Sequence, residues 1–522
     1  MNPAANASLV GFESKRSTRD LIRKNILAYL REEARLPNQE ITDETPLAQL
    51  GIDSLGMASL NFALEKEISK RPNQEIMYEL ENIKQLAEYL DSLPVVTDSP
   101  TPPSVTPVNL GPSIEAQEVS PQVPAPVEDK IAHYERLNGR VRAVKAMGLY
   151  FFEPEITEHD GPWVVADGKR MLMLGSYEYL GLLGHPRTKQ ATHDAVQHFG
   201  TGHHGARLLA GTTNLHRQLE AKLAKWMHSQ DAIVFSSGYV TNLATISTLV
   251  DHNCFIIGDE WNHASIVDGC RLSKAPLLTF KHNDMNSLAE RLRQAEGRRT
   301  LVVVDAVFSM DGDIVNLPAV IDLCKRHNAL LMVDEAHSLG VLGKTGHGIQ
   351  EHFGVADGDI DVKMGTLSKT LASSGGFVAG REELVTYLRH HARGYIFSGA
   401  LSTGHTAAAI AALDVIDNEP ELVVQLRVNL FYYLKGLLEL GFDTGCTVTP
   451  IVPIMTRDEA TTLDMTRLCR EAGLFVVPVV FPAVPSNAPR LRTCISSLHG
   501  KPEVDFALEV LAKAGKQTGL IK

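Results

Sequence analysis

Two short strings hold residues that could perform amine and proton chemistry at one site. GTLSK ends at Lys369, and VDEAH, which contains Asp334, closes the apolar run 329–333. A lysine amine can form a Schiff base with an aldehyde, and a buried carboxylate needs a cation or a hydrogen-bond donor as partner. Taken singly, Lys369 is typical of a solvated loop and Asp334 of a helix cap. Together they predict a pyridoxal phosphate site, in which the lysine binds the aldehyde and the acid keeps the ring nitrogen protonated.

Two histidines could complete such a site. His263 in NHAS and His337 in DEAH each follow an apolar run that is typical of a strand. A lone histidine is usually structural, but two at matching strand ends predict one residue against the cofactor ring and one near its phenolic oxygen.

The string SSGY (236–239) lies between a predicted strand and a predicted helix. Backbone N–H groups and the helix dipole favour phosphate there, although the glycine alone would indicate only a turn. Thr366 and Ser368 offer further hydroxyl groups to the same phosphate.

A separate motif stands near the other end of the chain. LAQLGIDSLG (47–56) resembles the string in which acyl carrier proteins attach phosphopantetheine to a serine, here Ser54. The alternative is that Ser54 only caps the following helix. Because the motif lies within a helical unit of about carrier size, it predicts a thioester carrier and the cofactor 4′-phosphopantetheine.

The chain of 522 residues is long enough for two or three domains. Helical periodicity gives way to nine prolines between Pro94 and Val127, a composition that predicts a mobile, partly extended linker. The predicted division is a disordered tail (1–16), a four-helix carrier domain (17–93), a Pro-rich linker (94–128), an N-terminal segment with a large domain (129–410) and a smaller C-terminal domain (411–522).

After the linker, short β-branched runs alternate with helical patterns. The runs 232–239, 254–265, 300–310 and 329–340 predict buried parallel strands with polar residues at their carboxyl ends. Open α/β sheets bind ligands at that edge. The predicted fold class is therefore α/β, with the site along one edge of the sheet.

Composition excludes several other classes of function. The net charge of −12 is spread without basic stripes, so we expect no nucleic-acid surface. No apolar run is long enough to span a membrane, and the first residues lack a secretion signal. Six cysteines without metal-ligand spacing predict reduced thiols, no metal and a cytoplasmic location.

From about Leu180 to His499 the chain resembles the α-oxoamine synthase family of fold-type-I pyridoxal-phosphate enzymes. The resemblance rests on YLGLLGHP (179–186), LHRQLE (215–220), NHASIVDG (262–269), FSMDGD (308–313), VDEAHSLGVLG (333–343), GTLSK and RLR (490–492), and on the glycine-rich string from 200 to 212. It implies a large domain with a mostly parallel seven-stranded sheet and a smaller C-terminal α/β domain. It also implies Lys369 as the Schiff-base lysine, Asp334 on the ring nitrogen, His263 stacked on the ring and His337 near the phenolic oxygen. The further contacts that it implies are Gly238, Tyr239, Ser309, Thr366 and Ser368 to the cofactor, and Arg492 to the amino-acid carboxylate.

Enzymes of this family condense an amino acid with an acyl thioester, release carbon dioxide and act as homodimers. The resemblance thus implies a PLP-dependent acyltransferase that uses an acyl group carried on Ser54, together with a phosphopantetheinyl transferase and an acyl-loading synthase or ligase as partners. Use of acyl coenzyme A, an aminotransferase whose carrier holds the product, and a scaffold without catalysis remain alternatives.

The substrates remain open. Tyr177 and Glu178 depart from the asparagine-containing string of the family, and FSGALST (397–403) lacks the usual prolines. Serine, alanine and glycine therefore all stay as candidate amino acids. The apolar and aromatic segment 147–156 favours a hydrophobic acyl group over a dicarboxylic one.

Overall fold

The computed structural model describes residues 84–85, 88–89, 134, 138–481 and 483–522. The chain divides into two units, 1–127 and 128–522. In the first unit, residues 84–85 and 88–89 are helical. Ser54, the predicted four-helix arrangement and the linker lie outside the described residues, so their limits stay predictions.

Fourteen strands are found in the described part of the second unit. They are β1 (Ile156–Asp160), β2 (Trp163–Ala166), β3 (Lys169–Met173), β4 (Asp231–Phe235), β5 (Phe255–Asp259), β6 (Leu277–Phe280), β7 (Thr300–Asp305), β8 (Leu330–Asp334), β9 (Val362–Thr366), β10 (Gly376–Gly380), β11 (Ile451–Met455), β12 (Leu474–Phe475), β13 (Val477–Val479) and β14 (Arg490–Cys494).

Fourteen helices accompany these strands in the same described part. They are α1 (Gly139–Ala146), α2 (Pro186–Phe199), α3 (Asn214–Trp226), α4 (Gly238–Leu249), α5 (Ala264–Ser273), α6 (Met285–Gln294), α7 (Leu317–Arg326), α8 (Ile349–Phe353), α9 (Glu382–His391), α10 (Arg393–Ile396), α11 (Thr403–Asn418), α12 (Glu421–Leu440), α13 (Glu459–Glu471) and α14 (Lys501–Gln517).

The central sheet has seven strands in the order β4-β10-β9-β8-β7-β5-β6. All its pairings are parallel except those of β10, which runs antiparallel to both neighbours. Every residue of β7 is buried, as a central parallel strand requires, and apolar clusters cover both faces of the sheet. The predicted α/β fold class with a mostly parallel seven-stranded sheet is confirmed, and the four runs that predict strands begin within one residue of the starts of β4, β5, β7 and β8.

The C-terminal part has its own antiparallel sheet, β11-β14-β13, packed against α12, α13 and α14. A further sheet, β1-β2-β3-β12, contains one parallel pairing, between β3 and β12. Leu172 and Leu174 consequently share an apolar core with Tyr433 and Leu491. The strands before residue 174 thus pack with the C-terminal part, and the predicted boundary at 410/411 falls within α11.

The described residues contain neither a membrane-spanning helix nor a metal site. No helix there is long and apolar enough to cross a membrane. No cluster of His, Cys, Asp and Glu side chains there could hold a metal ion. The six cysteines are free thiols, of which Cys446 alone is exposed.

Candidate active site

Three neighbouring strands end in polar residues at the same edge of the central sheet. Asp305 ends β7, Asp334 ends β8 and Thr366 ends β9, and Asp305 and Asp334 are partners in the parallel register. Lys369 follows β9 by three residues. Because the carboxyl ends of parallel strands meet at one edge, residues far apart in sequence come together there, as the strand pattern predicts.

Lys369 and His337 form the centre of this group. The Lys369 Nζ atom lies 2.7 Å from His337 Nε2, and His337 Nδ1 lies 2.7 Å from the Tyr179 hydroxyl. Tyr179 and His337 are both buried. The ring of Tyr177 lies beneath the amine, with its centroid 5.6 Å from Nζ. The amine is therefore held at one end of a hydrogen-bonded row of three side chains.

Burial controls the protonation of this row. It lowers the pKa of Lys369 to about 8, although Asp334 and Asp305 act in the opposite direction. It also lowers the pKa of His337 well below its usual range, and the charges of Lys369 and Arg492 act in the same direction. A lysine with such a pKa has a sizeable neutral fraction near neutral pH, as a nucleophile or base requires.

A second row of hydrogen bonds joins Asp334 to His263. The Asn242 amide donates to Asp334 Oδ2 and to Ser265 Oγ, both at 2.8 Å. The Ser265 hydroxyl lies 2.7 Å from Nδ1 of His263, which caps α5. Asp334 Oδ1 accepts the backbone N–H of Ala336 at 2.9 Å, so the buried carboxylate is fixed in orientation.

Asp305 adds a second buried carboxyl group beside Asp334. Its Oδ2 accepts the backbone N–H of His263 at 2.8 Å. Burial raises the pKa of Asp305 well above its usual range, and the neighbouring Asp334 raises it further. Burial beside Asp334 therefore disfavours the charged form of Asp305.

The start of α4 lies close to the end of β9. Ser237 caps this helix by accepting the backbone N–H of Val240 at 3.2 Å. A Cβ atom at Gly238 would come within 2.8 Å of Thr366 Oγ1, so glycine permits this close approach. Thr366 Oγ1 is 2.8 Å from Ser368 Oγ.

The Tyr239 hydroxyl is engaged elsewhere, since it donates to Asp268 of α5. What Tyr239 can offer beside Gly238 is its position in the first turn of α4. The helix start and two hydroxyl groups therefore form a region suited to a phosphate.

Arg492 extends into the site from the C-terminal sheet, β11-β14-β13. It lies in β14, where its Nη2 donates to the Tyr177 hydroxyl at 2.6 Å and its Nη1 to the Ser309 carbonyl at 3.5 Å. Arg492 is buried, and its Nε has no hydrogen-bond partner among the described residues. A buried guanidinium with an unused N–H is suited to an anionic ligand such as a carboxylate.

These residues fit pyridoxal phosphate. A lysine whose pKa is about 8 can react with its aldehyde, and the buried Asp334 carboxylate can pair with its ring nitrogen. The start of α4 at Gly238, which the Thr366 hydroxyl approaches closely, offers backbone N–H groups and hydroxyl groups suited to a phosphate. The unused N–H of Arg492 remains for a substrate.

The structure brings the predicted residues together at one edge of the central sheet, except that the Tyr239 hydroxyl binds Asp268, and it adds four residues that sequence reasoning did not assign. Tyr179 and Asn242 orient His337 and Asp334, Asp305 holds the backbone at His263, and Tyr177 binds Arg492. The sequence could have identified Asp305, because it ends the apolar run TLVVVD in the way that Asp334 ends its own run. Asn242 lies within a helix, and no pattern in the sequence marks it.

Two family models match the chain. The model described as aminotransferase class I and II matches residues 169–511, and the model described as phosphopantetheine attachment site matches residues 24–90. The first covers well over half of the chain. The second contains Ser54, so the chain carries a domain of the kind that bears 4′-phosphopantetheine.

Individual relatives identify the family more specifically than the family models do. The chain is 42% identical over 389 residues to 8-amino-7-oxononanoate synthase of Symbiobacterium thermophilum, which covers 74% of this chain and 98% of that enzyme. It is 41% identical over 392 residues to serine palmitoyltransferase of Sphingobacterium spiritivorum, with 75% of this chain and 97% of that enzyme covered. Serine palmitoyltransferase from S. paucimobilis, solved with a bound PLP-myriocin aldimine, superimposes with a TM-score of 0.73 at 32% identity, covering 75% of this chain and all of that one. The chain therefore belongs to the α-oxoamine synthase family of pyridoxal-phosphate-dependent acyltransferases, with a phosphopantetheine attachment domain fused at its N-terminal side.

Proposed function

We propose that this enzyme condenses an amino acid with an acyl thioester carried on Ser54, releasing carbon dioxide, an α-aminoketone and the free carrier thiol. The observation that carries the proposal is the arrangement of the Lys369 amine, 2.7 Å from His337, beside the buried carboxylate of Asp334. The amino acid is serine, alanine or glycine.

Pyridoxal phosphate, when bound, supplies an electron-poor ring that withdraws electrons from the substrate α-carbon. In our proposal Asp334 keeps the ring nitrogen protonated, and its bonds to Asn242 and Ala336 hold the carboxylate in place. His263 would cover the ring, and His337 would contact the phenolic oxygen. The α4 start at Gly238 and Tyr239, with Thr366 and Ser368, would hold the phosphate, and Ser309 would be a further cofactor contact.

Lys369 performs the proton chemistry in this proposal. Its Nζ takes the proton from the amino-acid α-carbon, a role that requires the neutral amine and that the lowered pKa of about 8 supports. His337, held by Tyr179, keeps the amine in a fixed direction. A later proton delivery to the same carbon, after carbon dioxide leaves, completes the cycle.

Arg492 binds the amino-acid carboxylate. Its unused Nε–H and its bond to the Tyr177 hydroxyl support this role, because the tyrosine fixes one end of the guanidinium while another N–H remains available. The same residue confers selectivity for amino acids over simple amines.

The fused carrier makes delivery of the acyl group intramolecular. A covalent tether between carrier and enzyme can give an effective concentration on the order of millimolar, so free acyl coenzyme A would compete only at a similar concentration. The proposal accordingly includes a phosphopantetheinyl transferase that modifies Ser54 and a separate synthase or ligase that loads the acyl group. A cytoplasmic location also remains a prediction.

The enzyme acts as a homodimer in this proposal. Leu208, Leu209 and Phe397 expose apolar side chains on two segments joined by the bridge between Ala206 and Gly399. An exposed apolar group of this kind favours an interface, and a second copy is the partner that the family implies. Molar mass measured by light scattering tests this point, and a monomeric mass at working concentration would contradict it.

A Ser54→Ala variant tests carrier delivery. We expect the phosphopantetheinylated, acyl-loaded protein to form product rapidly, and the Ser54→Ala protein supplied with the same acyl group on coenzyme A to form it slowly. Ser59→Ala is the matched control, since it alters a neighbouring serine and leaves the attachment site. Equal rates for acyl coenzyme A on Ser54→Ala and for the loaded carrier would refute delivery from Ser54.

The second candidate is transamination, because the matching family model is described by aminotransferases. An aminotransferase would release a keto acid, keep the substrate carboxylate and leave the carrier to hold the product. Intact-mass analysis of the loaded protein with each amino acid, together with measurement of carbon dioxide, separates these outcomes.

A further inference from the structure

The turn 308–313, with the sequence FSMDGD, is held from two sides. It follows β7 and is closed by a bridge between Val307 and Ile314 and by the bond from Gly312 N to the Phe308 carbonyl at 2.8 Å. One side faces the C-terminal sheet and the other faces residues after β5 and β6. The turn therefore connects the two sheets that supply the active site.

On the C-terminal side, the turn is bound through its backbone. Thr449 and Thr447 donate to the Gly312 carbonyl at 2.9 and 3.2 Å. Gly312 has φ +71, and a Cβ atom there would lie 2.2 Å from the Ile451 carbonyl oxygen, so the two segments are in direct contact. Any displacement of the turn must also move its neighbours in this sheet.

The two arginines of β14 contact the same turn. Arg490 Nη1 donates to the Met310 carbonyl at 3.2 Å and pairs with Asp311. Arg492 Nη1 donates to the Ser309 carbonyl at 3.5 Å. The position of the turn therefore sets the position of the guanidinium groups.

On the other side, the turn is tied to the central sheet by His282. Its Nδ1 lies 2.9 Å from Asp259 Oδ1, at the end of β5, and its Nε2 lies 2.9 Å from Asp313 Oδ2. The ring stacks on Trp261 with centroids 3.8 Å apart and meets the edge of Phe308 at 4.4 Å. Since ionised carboxylates only accept hydrogen bonds, both ring nitrogens must donate, and the ring is an imidazolium cation.

We propose that His282 is a positioning residue, whose imidazolium ties Asp313 and its turn to the end of β5 and thereby keeps Arg492 in place for the amino-acid carboxylate. The inference rests on the role of Arg492 in the proposed function.

Charge balance explains why this position needs a cation. Asp259 is fully buried, and Asp313 Oδ1 is buried without a hydrogen-bond partner among the described residues. Loss of the imidazolium would leave two nearby carboxylates uncompensated, and their repulsion would push the turn away from β5. A displacement of about 1 Å at a substrate-positioning group can cost on the order of 10²-fold in rate.

His282→Gln tests the inference in the phosphopantetheinylated, PLP-loaded full chain. The probe is L-serine, L-alanine or glycine, whichever the enzyme condenses, titrated without acyl thioester while the visible absorbance of the cofactor is followed. We expect the dissociation constant for the amino acid to rise about tenfold while bound cofactor per chain stays unchanged. His252→Gln, at an exposed histidine before β5, is the matched control and should leave the constant unchanged.

A second variant keeps the test decisive if His282→Gln does not fold. Thr449→Val removes one donor to Gly312 from the opposite side of the turn and should weaken amino-acid binding in the same direction, by several-fold. An unchanged dissociation constant in both variants, with Arg492→Lys raising it, would overturn the positioning role alone. An unchanged constant in Arg492→Lys would instead overturn the carboxylate-binding role that the proposed function gives Arg492.

The pH dependence of the melting temperature distinguishes a charged His282 from a neutral side chain that only packs. Burial opposes the charge, but Asp259 and Asp313 raise the pKa of His282 to about 9, above the usual 6.5. The stabilisation is therefore complete below pH 6.5 and is lost as the pH rises through about 9. The charged groups at the ring are Asp259 and Asp313, and Glu260 accepts the backbone N–H of His282. Asp311, Arg490 and Cys446 lie beyond them, around the turn.

We expect the melting temperature of the unaltered enzyme to exceed that of His282→Gln by the largest margin below pH 6.5, and by a shrinking margin toward pH 9. His252→Gln should give a margin that does not change over this range. If the difference in melting temperature between the unaltered enzyme and His282→Gln did not change with pH, the proposal that a charged His282 ties Asp313 to β5 would be overturned.

Discussion

The two sheets that meet at the active site contribute to it in different ways. The central parallel sheet supplies Asp305, Asp334 and Thr366 from the ends of adjacent strands. The C-terminal antiparallel sheet supplies Arg490 and Arg492 from within β14, two residues apart and so on the same side of the strand. A functional residue at the end of a parallel strand can be detected in the sequence, because it follows an apolar run. An arginine within an antiparallel strand has no such local sequence pattern.

The difference also separates the tasks of the two sheets. In the proposed function, the central sheet holds the groups that act on the cofactor, and the C-terminal sheet holds a group suited to the substrate carboxylate. Substitutions at the central sheet should therefore affect cofactor binding and turnover, and those in β14 should mainly affect affinity for the amino acid.

The largest effect is expected for Lys369→Ala. Removal of the amine takes away the proposed base, so product formation should fall about 10²–10⁴-fold, as is usual for loss of an acid–base group. Turnover of the loaded carrier measures this effect, and borohydride treatment should no longer fix cofactor to the chain. Lys225→Ala, at an exposed lysine of α3, is the control. Near-normal turnover in Lys369→Ala would show that Lys369 is not the base.

The two buried carboxyl groups should respond unequally. Asp334→Asn removes the charge proposed to face the ring nitrogen, so turnover should fall on the order of 10²-fold and cofactor should dissociate more readily. Asp305→Asn should cost less than about tenfold, because an amide oxygen can still accept the backbone N–H of His263 that Asp305 Oδ2 accepts. Cofactor retention on gel filtration and turnover measure both. Equal losses in the two variants would contradict the assignment of the charge to Asp334.

A change in β14 should act on substrate affinity. Arg492→Lys keeps the charge but loses the planar set of donors, so KM for the amino acid should rise about tenfold with a smaller change in kcat. Tyr177→Phe removes only the bond to Nη2 and should raise KM several-fold. Steady-state kinetics with saturating loaded carrier measures both. A fall in kcat without any change in KM would place Arg492 outside carboxylate binding.

The smallest expected effect is a pH dependence of cofactor capture. The Lys369 amine reacts only when neutral, and its pKa of about 8 means that the neutral fraction grows with pH through this value. The rate at which apoenzyme takes up pyridoxal phosphate should rise about fivefold between pH 7 and 8 and level off above pH 9. Stopped-flow absorbance gives the rate. A flat profile over this range would argue against a lysine with a lowered pKa.

Sequence reasoning predicted the central sheet and the residues at its edge because both depend on local patterns. An apolar run followed by Asp334, or a lysine after small hydroxyl residues, reports its environment directly. Arg492 was assigned only through family resemblance, because nothing in RLRTC distinguishes it from Arg490. Its contacts come from the fold: Tyr177 is 315 positions away in the chain, and the Ser309 carbonyl is 183 positions away.

The association of strands before residue 174 with the C-terminal part was likewise not predicted. β12 has two residues, and it pairs with β3 across about 300 positions. Periodicity within a window cannot detect a partner at such a distance, and a two-residue strand carries too short a pattern for detection.

The pairing of β3 with β12 has a consequence for synthesis of the chain. The four-stranded sheet cannot be completed until Phe475 has left the ribosome, by which time the whole central sheet is available to fold. The edge of β3 therefore has no strand partner during most of translation, and its backbone N–H and C=O groups can pair with those of other nascent chains. Truncation before residue 474 should leave that edge unpaired. We therefore expect C-terminally shortened chains to aggregate, because one sheet contains strands from before residue 174 and from after residue 473.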